Sequence, residues 1–166
     1  YVFLSTHCPV SNGYIQTLNA LHARFPEKPV DLFGVVSDAS VTRADAVEHF
    51  REFKAEFPIL FDSSGLLQKV LKPTHVPEAI VLDRNCQLVY RGAIDNAWEA
   101  LGRRRPKAEK EFVADAITAA LDNKLPSIAE TKPVGCLIES FEPGVDSAKV
   151  TYTRDIAPII QARCLN

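Results

Sequence analysis

Apolar residues recur along the first part of the chain at spacings that predict short strands alternating with helices. Residues 1–4 form an uninterrupted apolar run, which is typical of a short buried strand. Pro9 then suits the first turn of a helix, where its missing N–H costs nothing. A helical face follows, with side chains at steps of four, three and four: Tyr14, Leu18, Leu21 and Phe25. The chain is therefore predicted to open as strand, turn and helix.

The middle of the chain repeats this alternation. Residues 30–36 follow a proline and have the β-rich composition of a second strand. Residues 42–57 predict a second amphipathic helix, which Pro58 ends. The core face of this helix is assigned to three aromatic residues: Phe50, Phe53 and Phe57. Residues 59–61 then form a third short strand run.

Two further strands and a last helix complete the pattern. A brief helical segment over 66–71 precedes strand runs at 79–82 and 87–90, which a tight link joins as antiparallel neighbours. Helical spacing returns over 107–121, with its apolar face at Val113, Ile117, Ala120 and Leu121. Early crossovers require parallel strands, and the late hairpin adds antiparallel ones. The sequence thus predicts an α/β fold with a central mixed β-sheet flanked by helices on both faces.

Residues 1–124 are predicted to form this domain, because the character of the sequence changes afterwards. Residues 125–149 lack periodicity and contain several chain-bending residues: Pro126, Pro133, Pro143 and Gly144. They are predicted to be an extended strap or linker, with a separate segment over residues 150–166.

Composition and charge narrow the classes of function. A chain of 166 residues with 46% hydrophobic and 24% charged residues is ordinary for a globular protein. No apolar run approaches the roughly 18 residues that a membrane span needs. The net charge of -2 accompanies one basic cluster at 103–107, which is interpreted as a solvated turn and not as a nucleic-acid site. Because the chain opens in a strand without Met, we expect a piece of a longer protein whose signal peptide would lie upstream.

Cys8 is the strongest candidate for chemistry among the four cysteines, which form no C-x-x-C pair. It lies where the first strand passes into the first helix, and the helix dipole there favours a thiolate. His7, if charged, would lower the pKa of Cys8 further, and such a turn normally leaves the sulfur reachable by solvent. The alternative is a small buried residue at a strand end. Cys86, in the hairpin, is interpreted as incidental.

Three sequence features together resemble the thioredoxin-like superfamily. They are the stretch Cys8-Pro9-Val10-Ser11 after a strand, Val76-Pro77 before a later strand, and the hairpin at 83–92. In particular they look like its redoxin branch, the alkyl hydroperoxide reductase and thiol-specific antioxidant group. The resemblance covers residues 1–124. It implies that Pro77 is cis and packed against Cys8, and that the Val76 backbone pairs with a bound peptide or disulfide partner.

The departures from that family matter for the mechanism. Ser11 stands where a dithiol oxidoreductase carries its second cysteine, and His7 stands where tryptophan is usual. A peroxiredoxin pattern would need a hydroxyl residue, which Ser5 supplies, with Thr6 as a further supporting residue at the strand end. It would also need an arginine near the thiolate, for which Arg91 is a candidate.

Cys136 is the candidate resolving cysteine, because it lies on the strap, which has the length to fold back across the domain. Similar exported bacterial proteins carry a comparable Gly-Cys after the last helix. Bridging requires Cα atoms within roughly 7 Å, so the pairing stays open here. His75, beside Pro77, is a candidate base or metal ligand together with His7 and Cys8, but the C-x-x-x-C of copper chaperones is absent. We therefore expect no metal site.

Residues 150–166 resemble the start of a c-type cytochrome module. If Cys-His followed the last residue, Cys164 would be the first haem-attaching thiol of the parent protein. No cofactor is expected in the present chain. A haem c domain in the same polypeptide would place the protein outside the cytoplasm, in the periplasm or exported.

Three functions remain open. The first is an extracytoplasmic thiol-disulfide oxidoreductase in which Cys8 attacks a protein or small-molecule disulfide, with Ser11 and the helix N-terminus stabilising the thiolate and Pro77 shaping the docking groove. The second is a one-cysteine peroxidase that Cys136 or an outside thiol resolves. The third is a non-catalytic binding module that serves a haem domain.

Overall fold

A computed structural model describes residues 1–26 and 28–138. Its helices are α1 (Pro9–Ala23), α2 (Arg43–Glu52), α3 (Leu66–Leu71) and α4 (Phe112–Leu121). Its strands are β1 (Val2–Phe3), β2 (Gly34–Val36), β3 (Ile59–Phe61), β4 (His75–Val76), β5 (Glu78–Leu82), β6 (Leu88–Gly92), β7 (Trp98–Ala100), β8 (Arg103–Arg104) and β9 (Cys136–Leu137). The cytochrome-like segment at 150–166, with Cys164, lies outside the described residues, and its haem assignment stays a prediction.

The central sheet has five strands in the order β3-β2-β1-β5-β6. β1, β2 and β3 run parallel to one another, whereas β5 is antiparallel to both of its neighbours, β1 and β6. The parallel strands are joined through α1 and α2, since a parallel neighbour can be reached only by a crossover. The predicted mixed sheet is confirmed.

Helices flank both faces of this sheet. The ring of Tyr90 in β6 stacks on Phe112 of α4, with 6.4 Å between ring centroids. The next residue, Arg91, donates hydrogen bonds to the carbonyls of Leu71 and Lys72 at the end of α3. Side chains alternate between faces along a strand, so α4 and α3 lie on opposite sides.

Several predicted boundaries were wrong, each for a local reason. α2 ends at Glu52, ahead of Pro58, because Lys54 adopts a left-handed conformation with φ 56°. Phe53 is consequently 38% exposed, while Phe50 and Phe57 are buried as predicted. The first helix likewise ends at Ala23, so Phe25 lies beyond it.

Two other predicted elements are shorter than expected. The strand predicted over 30–36 is limited to β2, because its pairing with β1 and β3 begins at Gly34. α4 begins at Phe112 and not at 107, because the side-chain carbonyl of Asn96 accepts the backbone N–H groups of Glu109 and Lys110 and holds them in a loop.

The basic cluster lies on a small hairpin that the sequence pattern did not predict. β7 pairs antiparallel with β8. Arg103 and Arg105 each form an ion pair with Glu99, at 2.5 and 2.6 Å, and Arg104 lies over the ring of Trp98. The three arginine side chains of the cluster thus each contact Glu99 or Trp98 of β7.

The described part of the strap, residues 125–138, runs back along the sheet. Arg91 N donates to the carbonyl of Ala129, and Thr131 N donates to the carbonyl of Arg91. Further on, β9 pairs antiparallel with β4, with His75 opposite Leu137 and Val76 opposite Cys136. The strap therefore follows α4 in the chain and places Cys136 beside β4. Within the described ranges, no helix has the length and apolar character needed to cross a membrane.

Candidate redox site

Cys8 caps the N-terminus of α1 and is buried, with 1% of its surface exposed. Its Sγ donates a hydrogen bond to the carbonyl of Val76 at 3.0 Å. The expectation that solvent reaches this sulfur is therefore wrong. The Val76 carbonyl of β4 and the Cys136 sulfur of the strap both contact it.

Cys136 brings a second sulfur to the same place. Its Sγ lies 2.9 Å from the Sγ of Cys8, compared with about 2.05 Å in a disulfide bond. The pairing of Val76 with Cys136 in the β4–β9 ladder fixes this approach. Gly135 makes it sterically feasible, because a Cβ atom at that position would lie only 2.1 Å from the Val76 carbonyl oxygen.

The two thiols differ in acidity. Burial raises the pKa of Cys8, but the Cys136 thiol and the backbone N–H groups of Ser11, Cys136 and Val10 donate to its sulfur and bring the pKa below the ordinary value. The pKa of Cys136 is raised, because its thiol donates to Cys8, because it is partly buried and because the Cys8 charge opposes its ionisation. Cys8 is thus the more acidic thiol of the pair, and Cys136 is the less acidic one.

The start of α1 explains the donors at Cys8. The first N–H groups of a helix have no partner within the helix, and Pro9 has no N–H at all. Val10 and Ser11 are therefore free to direct theirs at the sulfur. The hydroxyl of Ser11 has another role, since it accepts a hydrogen bond from Ser5 N at 3.2 Å. Ser11 thus acts on Cys8 through its backbone.

Val76 and Pro77 form the opposite wall of the site. The peptide bond between them is cis, as the resemblance implied. Pro77 is almost completely buried, and Val76 contacts Cys8 through its carbonyl and Cys136 through backbone pairing. One residue thereby positions both sulfurs.

Glu78 holds the start of β4 in place through hydrogen bonds. It is 2% exposed, and its carboxylate accepts the backbone N–H groups of Thr74 and His75 and the hydroxyl of Thr74. Arg91 donates to the same carboxylate at 3.0 Å. Burial raises the pKa of Glu78, but these donors outweigh it and leave the pKa below the usual range. Sequence reasoning missed Glu78, although a carboxylate at the start of an apolar strand run is a signal in itself.

Arg91 therefore has a different place from the predicted one. Its guanidinium binds Glu78 and the carbonyls of Leu71 and Lys72, not the Cys8 sulfur. β6 directs the side chain to the face of the sheet that carries α3. The prediction of an arginine beside the thiolate was wrong for this residue.

The two histidines also make other contacts. His7 is exposed, and its Nδ1 lies 3.5 Å from Asp38 and 3.4 Å from the hydroxyl of Thr6. The Nδ1 of His75 lies 2.8 Å from the hydroxyl of Thr74. The suggestion that His75 acts on Cys8 finds no supporting contact. Across residues 1–26 and 28–138, no three His, Cys, Asp or Glu side chains are grouped as metal ligands would be.

The loop between β1 and α1 is held by local hydrogen bonds. The hydroxyl of Ser5 accepts the backbone N–H of His7 at 3.1 Å, and the carbonyl of Thr6 accepts from the Asn12 side chain at 3.4 Å. Ser5 and Thr6 thus shape the turn that precedes Cys8.

Comparison with protein-family models and with curated proteins finds no match. Solved structures do match. A hypothetical protein from Sinorhizobium meliloti 1021 aligns with 86% of this chain and 79% of its own, at 23% identity and a TM-score of 0.70. An uncharacterized conserved protein from Geobacillus kaustophilus aligns with 86% and 76%, at 23% identity and 0.63. A structure named for a thiol:disulfide interchange protein, DsbE, of Chlorobium tepidum aligns with 72% and 77%, at 22% identity and 0.57. These likenesses show that the chain has a thioredoxin-like fold.

Proposed function

We propose that this chain of thioredoxin-like fold is a thiol-disulfide oxidoreductase whose reactive pair is Cys8 and Cys136. The observation that carries the proposal is the 2.9 Å separation of the two sulfurs. Strap residues supply the second cysteine that the C-x-x-S sequence lacks beside Cys8.

The overall reaction needs only the sulfur atoms of the chain and its partner. When the two thiols form a disulfide, they give up two electrons and two protons, which a partner disulfide takes up as it becomes two thiols. The opposite reaction reduces the chain and oxidises the partner. The lowered pKa of Cys8 supports this chemistry, because the thiolate is the form that exchanges disulfides.

The contacts of the site support exchange better than peroxide reduction. The Ser5 hydroxyl accepts a hydrogen bond from the backbone N–H of His7. The Arg91 guanidinium donates to Glu78 and to nearby carbonyls. Arg91 therefore does not reach Cys8, where a peroxidase would need an arginine to orient the peroxide.

We place this activity outside the cytoplasm, with a protein or small-molecule disulfide or dithiol as the partner. Reversible disulfides persist in oxidising compartments, and reducing systems in the cytosol would keep the pair open. The named Chlorobium structure fits this class of chemistry.

The proposal is tested by disulfide mapping and by turnover of a disulfide substrate with a thiol reductant. We expect a Cys8–Cys136 disulfide after mild oxidation, and we expect Cys8→Ser to reduce turnover to the uncatalysed rate. Cys86→Ser is the matched control, because Cys86 is exposed in the hairpin and distant in sequence from both sulfurs. Unchanged turnover in Cys8→Ser would refute the function.

A further inference from the structure

The two sulfurs of the proposed pair differ in how a partner can approach them. Cys8 belongs to the buried core and exposes 1% of its surface, whereas Cys136 is only partly buried and packs against that core from outside. The residue after it, Leu137, exposes 76% of its surface. The strap thus presents Cys136 at the surface and covers Cys8.

We propose that the partner thiolate attacks the disulfide at Cys136, so that the mixed disulfide with the partner forms on the strap and Cys8 is released inside the protein. This inference rests on the proposed function. It divides the roles of the two cysteines: Cys136 faces the partner, and Cys8 is the internal thiolate.

Access is the first argument. Disulfide exchange proceeds with the incoming sulfur in line with the bond that breaks, so a thiolate that attacks Cys8 must arrive from the side opposite Cys136. Cys8 exposes only 1% of its surface and belongs to the same buried cluster as Tyr14 and Val10 of α1, so a partner has little room to approach it. An attack on Cys136 arrives from the outer side of the strap. Which sulfur is attacked depends on such access.

The stability of the departing thiolate is the second argument. The backbone N–H groups of Val10 and Ser11 face Cys8 and stay there when the disulfide opens. A leaving thiol of lower pKa leaves faster, so departure of Cys8 is favoured over departure of Cys136. Access and leaving-group stability therefore favour the same reaction, which is attack at Cys136 with departure of Cys8.

The atoms and electrons balance in two steps. The partner thiolate forms a bond to Cys136 Sγ, the bond from Cys136 to Cys8 breaks, and its electron pair stays on Cys8 as a thiolate. A second thiolate of a dithiol partner then attacks the partner sulfur of the mixed disulfide and releases Cys136, which takes up a proton. The partner is oxidised by two electrons, and the chain is reduced by the same number.

Glutathione is a suitable probe, because one molecule of a monothiol can form the mixed disulfide but cannot complete the second step, so that the first adduct can be trapped at early times. The protein carries Cys86→Ser and Cys164→Ser, so that only the pair reacts, and its Cys8–Cys136 disulfide is first verified by mass spectrometry. It is then mixed with excess glutathione, quenched with acid at a series of early times and mapped by peptide. Extrapolation to zero time removes any migration of the adduct between the two cysteines.

We expect the glutathione adduct on Cys136 to exceed that on Cys8 by about tenfold or more at zero time. An adduct on Cys8, or one shared evenly, overturns the inference and leaves the proposed function standing. If the verified disulfide never forms, the proposed function fails first and the inference fails with it.

Discussion

The sheet and the strap hold their places by different means. β1 and the first part of β5 are buried in an apolar core, and Phe3 of β1 and Tyr90 of β6 are fully enclosed. The strap is attached mainly by backbone hydrogen bonds and a few polar side chains, and Leu125 and Leu137 on it are 89% and 76% exposed. Cys136 lies on the strap, whereas Cys8 lies at the start of α1 and belongs to the same buried core as the sheet. The site is therefore assembled from a half that is packed into the core and a half that is held mainly by hydrogen bonds.

This difference predicts that stability and thiol pairing can be separated. Burial of apolar surface supplies most of the free energy of folding, whereas a typical net hydrogen bond supplies only about 1 kcal/mol. Substitutions in the sheet should therefore lower the stability of the whole domain. Substitutions in the strap should mainly weaken the approach of Cys136 to Cys8.

The largest expected effect is in the sheet. Phe3→Ala deletes a fully buried ring, and we expect it to lower the free energy of unfolding by about 3–5 kcal/mol. Denaturant titration of the reduced protein measures this loss.

Thr131→Val is the counterpart in the strap. The Thr131 hydroxyl accepts from Ala93 N at 2.9 Å and lies 2.5 Å from the hydroxyl of Tyr90. Removing it leaves Ala93 N–H without a partner, at a cost of about 1–3 kcal/mol. We expect this cost to appear chiefly as a roughly tenfold weaker tendency to form the Cys8–Cys136 disulfide. If both variants changed unfolding and pairing in equal proportion, the sheet and the strap would be one cooperative unit.

Gly135→Ala tests the close approach of the strap to β4. The added Cβ would lie 2.1 Å from the Val76 carbonyl oxygen, so the strap must move away. We expect disulfide formation to slow by about tenfold, because a displacement near 1 Å at a reacting centre has large effects. The rate is measured by quenching the oxidation with acid at a series of times and quantifying the disulfide by mass spectrometry.

Leu137→Ala is the control for that variant, because the Leu137 side chain is exposed while its backbone still pairs with His75. Its rate should match that of the unaltered protein. Equal slowing in both variants would argue against a specific role for the glycine.

The smallest expected effect concerns the acidity of Cys8. Cys136→Ala removes the thiol that donates to Cys8, so the pKa of Cys8 should rise; Cys136→Ser keeps a donor, and the pKa should rise less. Thiolate is the reactive form, and its fraction grows as the pH passes upward through the pKa. The pH profile of Cys8 alkylation should therefore lie at higher pH in the alanine variant. Identical profiles for both variants would show that the Cys136 thiol does not set this pKa.

The sequence predicts the sheet well because its elements are encoded locally. The helical face of α1, the helix over 66–71 and the hairpin of β5 and β6 all follow from spacing within one element. The sequence pattern does not predict β4 or β9, because they form through contacts between distant parts of the chain. The pairing of Val76 with Cys136 is such a contact, and hydrophobic periodicity within one element gives no sign of it. Glu78 was missed for a related reason, since its partners Thr74 and Arg91 come from two other segments.

Equilibration with glutathione buffers of known redox composition tests the central claim most directly. The account predicts that Cys8 and Cys136 convert together between dithiol and intramolecular disulfide, with little glutathione bound to either at equilibrium, because the neighbouring thiol displaces it. Lasting glutathione on Cys8 while Cys136 stays a free thiol would contradict the account.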